Sequence, residues 1–219
     1  ILARASERYP TTFRFGLRFG RACFVGATPE RLFVKRGRSI VTEAIAGSVA
    51  AGPDAERALL ASDKDRREHA FVVAHVLERL APLCEALSAP SEPSVRRLPN
   101  VLHLHTPIRG TLRPGVSAPA LAAALHPTPA VCGVPAGAAL AHLAEHEAHP
   151  RGWYAGPVGW IDAEGDAELV VALRSGVVRG ASAWLYAGGG IVEGSELDAE
   201  WAESELKLRP LLDAIGGAP

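Results

Sequence analysis

Two pairs of acidic residues have a spacing that can support chemistry. Asp65 and Glu68 are three residues apart in a segment with a helical pattern. Glu200 and Glu203 repeat that spacing near the carboxyl end. Residues at i and i+3 share one helix face, and carboxylates from separate helices can hold Mg²⁺ if the fold brings them together. Taken alone, each pair is more typical of surface salt bridging.

A single carboxyl group, Glu30, follows an apolar stretch in a short Thr-Pro-Glu turn. Such a turn can present the carboxyl group to a cleft. Burial would raise its pKa and make it a usable acid. The alternative is an ordinary glutamate exposed on a turn.

Three consecutive glycines, Gly188, Gly189 and Gly190, end an apolar stretch. Glycine permits close backbone approach, and its N–H groups can bind a carboxylate or a phosphate. The dinucleotide pattern GxGxxG is absent and no helix follows at once, which argues against a nucleotide site. A tight turn is the alternative interpretation.

Several histidines have spacings that suggest either chemistry or structure. His142, His146 and His149 lie on or just past one predicted helix, without the His-Glu-x-x-His order of zinc proteases, so a solvated helix face is favoured. His103 and His105 are two apart on a predicted strand and therefore face the same side, either core or cleft. No nucleophile elbow supports Ser-His-Asp catalysis.

The elements that must position these residues show two periods. Residues 13–19 and 32–35 alternate roughly between apolar and polar, which predicts neighbouring strands joined at 26–29. From about residue 62 to residue 80, apolar residues recur at helical spacing. A last helix is predicted over about 198–208, with a possible continuation past the proline that follows.

Three further strands are predicted over 156–162, 167–175 and 181–187. Together with the helices they predict an α+β fold, with strands in antiparallel runs and helices packed on them. The net charge of −1 argues against a nucleic-acid partner. No apolar run approaches the roughly 20 residues that span a bilayer, so we expect no membrane partner.

The residue usage also bears on where the protein resides and on how much of it is present. Three well-separated cysteines without metal-ligand spacing predict free thiols and a cytoplasmic location. The sequence contains no methionine. We therefore expect it to be part of a longer product.

Nine motifs in order carry a resemblance that covers nearly the whole chain. They are Gly-Ala-Thr-Pro-Glu at 26–30, Ile-Ala-Gly-Ser at 45–48, Ala-Ser-Asp-Lys-Asp-Arg-Arg-Glu-His at 61–69, Asn-Val-Leu-His-Leu at 100–104, His-Pro-Thr-Pro-Ala-Val-Cys-Gly-Val-Pro at 126–135, Arg-Gly-Trp-Tyr-Ala-Gly-Pro-Val-Gly-Trp at 151–160, Val-Ala-Leu-Arg at 171–174, Tyr-Ala-Gly-Gly-Gly-Ile-Val at 186–192 and Glu-Trp-Ala-Glu-Ser-Glu-Leu-Lys-Leu at 200–208. This series resembles the chorismate-utilising enzymes, which include anthranilate, aminodeoxychorismate, salicylate and isochorismate synthases.

The segment 126–135 is most similar to isochorismate synthases. Anthranilate and salicylate synthases usually begin this motif with Phe-Pro and have Thr where this chain has Ala130. The resemblance implies a layered α/β sandwich of large antiparallel sheets with helices packed outside. It further implies that residues 1–219 form the C-terminal portion of a chorismate-binding catalytic domain whose N-terminal part is missing.

The resemblance also implies roles for individual residues. Glu68 and Glu203 correspond to the Mg²⁺ carboxylates, Glu30 to the general acid that protonates the departing C4 hydroxyl, and His103 to a catalytic-site histidine near the ring. The substrate-binding positions implied are Gly47, Ser48, Ala130, Val131, Tyr154, Arg174, Gly188, Gly189, Gly190 and Lys207.

The implied reaction is Mg²⁺-dependent addition of water at C2 of chorismate with loss of the C4 hydroxyl. In this family the base for the water is a lysine well upstream of the Thr-Pro-Glu turn, and none of the 29 residues before Glu30 is a lysine. A salicylate synthase or other sister enzyme, and a non-catalytic chorismate-binding fragment, are the alternatives. We expect the full-length protein to be a monomer.

Overall fold

The computed structural model describes residues 1–216. The helices are α1 (Leu2–Arg8), α2 (Ala55–Ala61), α3 (Asp63–Leu80), α4 (Ala118–Leu125), α5 (Pro129–Cys132), α6 (Ala136–His146) and α7 (Leu197–Ile215). The strands are β1 (Phe13–Phe19), β2 (Ala22–Thr28), β3 (Arg31–Arg36), β4 (Ser39–Ala50), β5 (Cys84–Ser88), β6 (Ser94–Arg97), β7 (Val101–Leu112), β8 (Pro157–Ile161), β9 (Ala167–Val171), β10 (Ser175–Arg179) and β11 (Ser182–Tyr186).

The strands form two sheets in which every pairing is antiparallel. The smaller sheet has the order β1-β2-β10-β11. The larger sheet has the order β5-β7-β4-β3-β9-β8. β6 pairs with the same edge of β7 as β5 does, at an earlier stretch of that strand. The predicted α+β fold of large antiparallel sheets with helices packed against them is confirmed.

The main hydrophobic core lies between the larger sheet and helices α3 and α4. Phe33 and Ile108 from the sheet and Leu80 and Leu121 from the helices are fully buried there. Burying one such side chain stabilises the fold by about 1.5–3 kcal/mol. The core therefore fixes α3 on the sheet, and with it the acidic residues in the first turns of that helix.

The start of α3 is set by a side-chain cap. The backbone N–H of Asp65 donates to the Ser62 hydroxyl, which satisfies one of the free donors at the helix N-terminus. Apolar residues at helical spacing, Val72 and Val76 among them, then carry the buried face toward Leu80. The helix predicted from about residue 62 to residue 80 is confirmed.

The two sheets are joined where a pair of strands passes from one to the other. β2 of the smaller sheet continues through Pro29 and Glu30 into β3 of the larger sheet. Beside it, β9 of the larger sheet continues through residues 172–174 into β10 of the smaller one. The backbone N–H of Val171 donates to the Glu30 carbonyl and that of Ala27 donates to the Arg174 carbonyl, so the two crossings are bonded to each other.

Two strand predictions were wrong at these crossings. Residues 13–19 and 32–35 are not neighbouring strands, because β2 intervenes and pairs with β1, while β3 belongs to the other sheet. Residues 22–28 are largely buried and lack the alternation that marks a half-exposed strand. The strand predicted over 167–175 ends at Val171, and Arg174 has a left-handed backbone with φ of 48°.

The last helix is longer than the predicted span of 198–208. It runs without a break through Pro210 to Ile215. Leu211 and Ala214 beyond the proline are buried, so tertiary packing outweighs the local cost of the missing hydrogen bond. Among residues 1–216 no helix is long and apolar enough to cross a membrane.

Candidate active site

Most residues predicted for the site line one cavity beside the two strand crossings. The predicted residues on its wall are Glu30, Ser48, Glu68, His103, Ala130, Val131, Tyr154, Arg174, Gly188, Gly189, Gly190 and Lys207. Two predicted residues stand just behind this wall. Gly47 lies on β4 where that strand packs against Asp65 of α3, and Glu203 forms an ion pair with the wall residue Lys207.

Glu30 lies on the crossing between β2 and β3 and is only 8% exposed. Its backbone N–H donates to the Thr28 hydroxyl over 3.2 Å, and its carbonyl accepts from Val171 over 3.0 Å. Burial, and then the negative charge of Glu43, raise the pKa of Glu30 to about 7, against the opposing charges of Lys207 and Arg174. The carboxyl group can therefore carry a proton at neutral pH.

Arg174 lies on the neighbouring crossing and is 7% exposed. Burial lowers the pKa of its guanidinium to about 10, so the group remains a cation at neutral pH. One of its nitrogens, Nη2, lies 3.3 Å from His103 Nε2, and His103 Nδ1 lies 2.9 Å from the Ser48 hydroxyl. A guanidinium has only donors, so Nε2 of His103 accepts and the imidazole proton is on Nδ1.

His103 is a neutral residue in this arrangement. Burial lowers its pKa well below the usual value, and the positive charges of Arg174 and Lys207 lower it further. Its position on the cavity wall agrees with the predicted location. Its hydrogen bonds suit a residue that orients Arg174 better than one that exchanges protons.

Gly47 allows helix α3 to approach strand β4. Its φ of 75° is in the left-handed region, and the register of β4 with β7 shifts there. A Cβ atom at this position would lie 2.9 Å from Cβ of Asp65. The close approach brings the Asp65 carboxylate to the backbone N–H of Ser48, over 3.3 Å.

The two predicted acidic helices converge at the cavity. Lys64 at the start of α3 forms an ion pair of 2.5 Å with Glu200 at the start of α7. One turn further along each helix, Glu68 and Glu203 lie close enough to repel each other. Burial raises the pKa of Glu68 to about 7, and the charges of Glu203 and Asp65 add to this against a hydrogen bond from Gly47 and the charge of Lys207.

The carboxylates of Glu68 and Glu203 fit part of the ligand set of a hard divalent cation. No group of three or more His, Cys, Asp or Glu side chains with metal-binding geometry occurs within residues 1–216. The half-buried Glu68 carboxylate forms no ion pair in the described part of the chain. A cation with two carboxylate ligands would relieve its repulsion with Glu203, and substrate or water oxygens would complete the coordination.

The glycine segment that follows β11 makes room for charged side chains. A Cβ atom on Gly189 would lie 3.0 Å from the Glu200 carboxylate, and one on Gly190 would overlap the carboxylate of Glu68. The Gly188 carbonyl accepts a hydrogen bond of 3.2 Å from Lys207. This ammonium group also pairs with Glu203 over 2.5 Å, so it is held at the cavity wall.

The sequence reasoning missed one charged residue of the wall, Arg151. Its guanidinium donates to both carboxylate oxygens of Glu147 and, over 2.6 Å, to the carbonyl of Val131. It also lies 5.9 Å from the centre of the Tyr154 ring, which stacks on Tyr186. The i, i+4 spacing of Glu147 and Arg151 was an available signal for this ion pair.

The other histidines singled out in the sequence do not line the cavity. The rings of His142 and His146 stack at 4.1 Å on exposed helix α6, where His146 Nδ1 lies 2.9 Å from the His142 carbonyl. This is the solvated face that the sequence favoured. His105 lies 3.0 Å from Glu43, in a network behind Glu30.

The fold and the cavity define an α+β protein whose site gathers carboxylates, cations and glycine backbone around one pocket. A family model described as chorismate binding enzyme matches residues 1–216. The chain belongs to this family.

Two curated relatives of the chain are isochorismate synthases. The salicylate biosynthesis isochorismate synthase of Pseudomonas aeruginosa is 46% identical over 93% of this chain and 44% of its own length. The isochorismate synthase MenF of Bacillus subtilis is 39% identical over 99% of this chain and 47% of its own length. The chain thus spans about half the length of these curated relatives.

A solved structure of an isochorismate synthase is also similar to this chain. The menaquinone-specific isochorismate synthase MenF from Escherichia coli superposes with a TM-score of 0.87 at 36% sequence identity, covering 96% of this chain and 51% of that one.

Proposed function

We propose that this chain is the substrate-binding and acid-supplying portion of an isochorismate synthase, which converts chorismate to isochorismate. The observation that carries the proposal is the placement of Glu30, whose pKa is raised to about 7, in one cavity with Arg174 and Lys207. An acid that is protonated near neutral pH and two fixed cations suit a dicarboxylate substrate that must lose a hydroxyl group.

Substrate binding is assigned to the cationic side of the cavity. Chorismate carries two carboxylates, and Arg174 offers a guanidinium fork whose orientation is fixed by His103. Lys207 adds a second positive charge, and the backbone N–H groups of Gly188–Gly190 supply further donors. Gly47 and Ser48 border the end of the pocket that would hold the ring carboxylate.

The chemical step assigned to Glu30 is proton donation to the C4 hydroxyl, which leaves as water. A second water adds at C2 and loses one proton, so atoms and charge balance and the product is an isomer of the substrate. Lys207 is already bonded to Glu203 and to the Gly188 carbonyl, which disfavours it as the base for that water. We assign the base to the part of the longer relatives that this chain does not span.

A magnesium ion is assigned to Glu68 and Glu203. When bound, the ion would neutralise a substrate carboxylate and thereby orient the ring. The support is that Glu203, just behind the cavity wall, raises the pKa of the wall residue Glu68 by its negative charge, and that Glu68 forms no ion pair among the described side chains. Ala130, Val131 and Tyr154 are assigned to the shape of the pocket and thereby to which product forms.

The test is to incubate chorismate and Mg²⁺ with a form of the protein long enough to include the part that this chain does not span, and to identify the products by chromatography. The proposal expects isochorismate as the main product from wild-type protein and its loss in Glu30→Gln. Salicylate with pyruvate would instead identify a salicylate synthase. Binding of chorismate without any conversion would identify a non-catalytic binding protein, and either result would overturn the proposal.

A further inference from the structure

Behind Glu30, away from the cavity, lies a buried ionic network. Its centre is the carboxylate of Glu43 on β4, whose side chain is 7% exposed. This carboxylate accepts from Arg96 over 2.8 Å through Oε1, and its Oε2 lies 3.0 Å from His105 Nε2. None of the site roles assigned above includes Glu43, Arg96 or His105.

The network bonds to both chain neighbours of Glu30. Arg96 donates from Nη1 to the carbonyl of Pro29 over 3.1 Å. Glu43 accepts from the backbone N–H of Arg31 over 3.3 Å. The residues on either side of Glu30 are therefore anchored to one rigid ion pair, which fixes the direction in which the Glu30 side chain leaves the backbone.

Glu43 is an anion at neutral pH. Its burial alone would raise its pKa, but the hydrogen bond from His105 and the charge and hydrogen bond of Arg96 hold the pKa below its usual range. The charged groups that act on Glu30 are this carboxylate, Lys207 and Arg174. Of the three, Glu43 is the one that disfavours the ionised form of Glu30.

We propose that Glu43 and Arg96 are positioning residues for Glu30: they hold its two chain neighbours so that its carboxyl group points into the cavity, and the Glu43 carboxylate disfavours a second negative charge beside it. The proposal rests on the function assigned above, in which Glu30 donates a proton. Arg96 fixes the positions of the Glu43 carboxylate and the Pro29 carbonyl, while Glu43 supplies the negative charge behind the acid. Neither residue lines the cavity, so neither would contact a substrate bound there.

The test is a carboxyl ¹³C NMR titration of protein labelled at the glutamate side chains, in EDTA and without substrate. The Glu30 resonance is assigned by its loss in Glu30→Gln. In Glu43→Gln the anion is replaced by a neutral amide of similar shape, so the Glu30 titration should move down by about 1 pH unit. In Arg96→Gln the anion remains, so the Glu30 titration should not move down.

Glu168→Gln is the matched control. Glu168 is also a strand carboxylate paired with arginine, 3.5 Å from Nη2 of Arg31, but it is not among the charges that act on Glu30. This variant should leave the Glu30 titration where it is in wild type. Circular dichroism and thermal melting of each variant establish that the fold is retained.

An unchanged Glu30 titration in Glu43→Gln would overturn the inference, as would a fall of equal size in Arg96→Gln or Glu168→Gln. The titration requires no turnover. A protein that failed to form isochorismate would therefore overturn the proposed function while the Glu43 effect could still be observed. Where turnover is measured, the alkaline limb of kcat should move to lower pH together with the Glu30 titration.

Discussion

The guanidinium of Arg174 donates to Nε2 of His103 across 3.3 Å, and this fixes both side chains. Because His103 is neutral and already accepts this hydrogen bond, it cannot readily take a proton from substrate. Its pKa lies well below the usual value through burial and the nearby positive charges. The finding favours an orienting role for a residue that the sequence placed among the catalytic ones.

His103→Leu should therefore weaken chorismate binding, because a buried guanidinium would lose its acceptor. We expect a loss of roughly tenfold in affinity, measured by calorimetry. The pH dependence of binding between pH 6 and 8 should not change. His75→Leu, which removes a half-buried imidazole outside the cavity, is the control. A titration near neutral pH that disappears in His103→Leu would contradict this prediction.

Glu30→Gln should preserve chorismate binding and suppress turnover. The amide keeps the size of the side chain but cannot donate the proton that the leaving hydroxyl needs, and positioned acids contribute about 10²–10⁴-fold. Steady-state kinetics in a form of the protein that turns over, together with binding measured by fluorescence or calorimetry, check it. Persistence of wild-type kcat would mean that another group acts as the acid.

The same substitution should change how stability depends on pH. The pKa of Glu30 is about 7 in the folded chain, against 4.5 for a glutamate in the unfolded chain. The raised folded pKa favours folding below pH 4.5, and that contribution is lost as the pH rises through about 7. Glu30→Gln removes the cost of a buried anion, so it should raise the free energy of unfolding at pH 8 by roughly 1–3 kcal/mol.

Urea unfolding at pH 8 and at pH 4.5 measures this effect. At pH 4.5 the wild-type carboxyl is largely protonated in the folded state, so the variant and the wild type should differ little. An equal difference at both pH values would show that Glu30 does not titrate as its surroundings indicate. Glu164→Gln, an exposed carboxylate in the β8–β9 turn, is a suitable reference variant.

Mg²⁺ alone should stabilise the protein through Glu68 and Glu203. A ligand that binds only the folded state raises its stability in proportion to the logarithm of its concentration. We expect the melting temperature at pH 8 to rise with Mg²⁺ concentration in wild type, and this rise to be lost in Glu203→Gln. Glu205→Gln, two residues along the same helix, should retain it. Retention in Glu203→Gln would exclude this carboxylate from the metal site.

Arg151 should control the shape of the pocket. It ties Glu147, just past the end of helix α6, to the Val131 carbonyl and lies beside the Tyr154 ring. Arg151, Val131 and Tyr154 all line the cavity. Arg151→Met should loosen this side of the cavity and weaken chorismate binding by about tenfold, since a hydrogen bond to a charged group contributes about 1.5–3 kcal/mol. Arg109→Met, at an exposed position of β7, is the control, and an affinity of Arg151→Met equal to that of wild type would contradict the prediction.

The sequence predicted which residues line the cavity better than it predicted the strands that hold them. The order of motifs was sufficient to place Glu30, Glu68 and Arg174 in one site, because the residue types and their neighbours carry that information. It did not predict the crossing strands, since β2 is buried along most of its length and shows no alternation, and its Gly-Ala-Thr-Pro end resembles a turn.

The sequence did not predict the ionic network behind Glu30 either. Glu43, Arg96 and His105 lie on three different strands, and each one alone is an ordinary polar residue of a sheet. Their association depends on the register in which β4 and β6 pair with β7. A slip of one residue in this pairing would turn each side chain to the other face of the sheet, so the association depends on the paired strands together and is not visible in any one of them.

The paired crossings make the site intolerant of changes in chain length. Side chains alternate along an extended chain, so one residue inserted between Thr28 and Arg31 would turn Glu30 away from the cavity or shift β3 against β9 by one position. The hydrogen bonds that tie this crossing to its neighbour would then misalign the Arg174 segment as well. We therefore expect proteins with this pocket to differ by substitutions in α5 and in the glycine segment. Insertions and deletions at the two crossings would disrupt the site, so we expect none there.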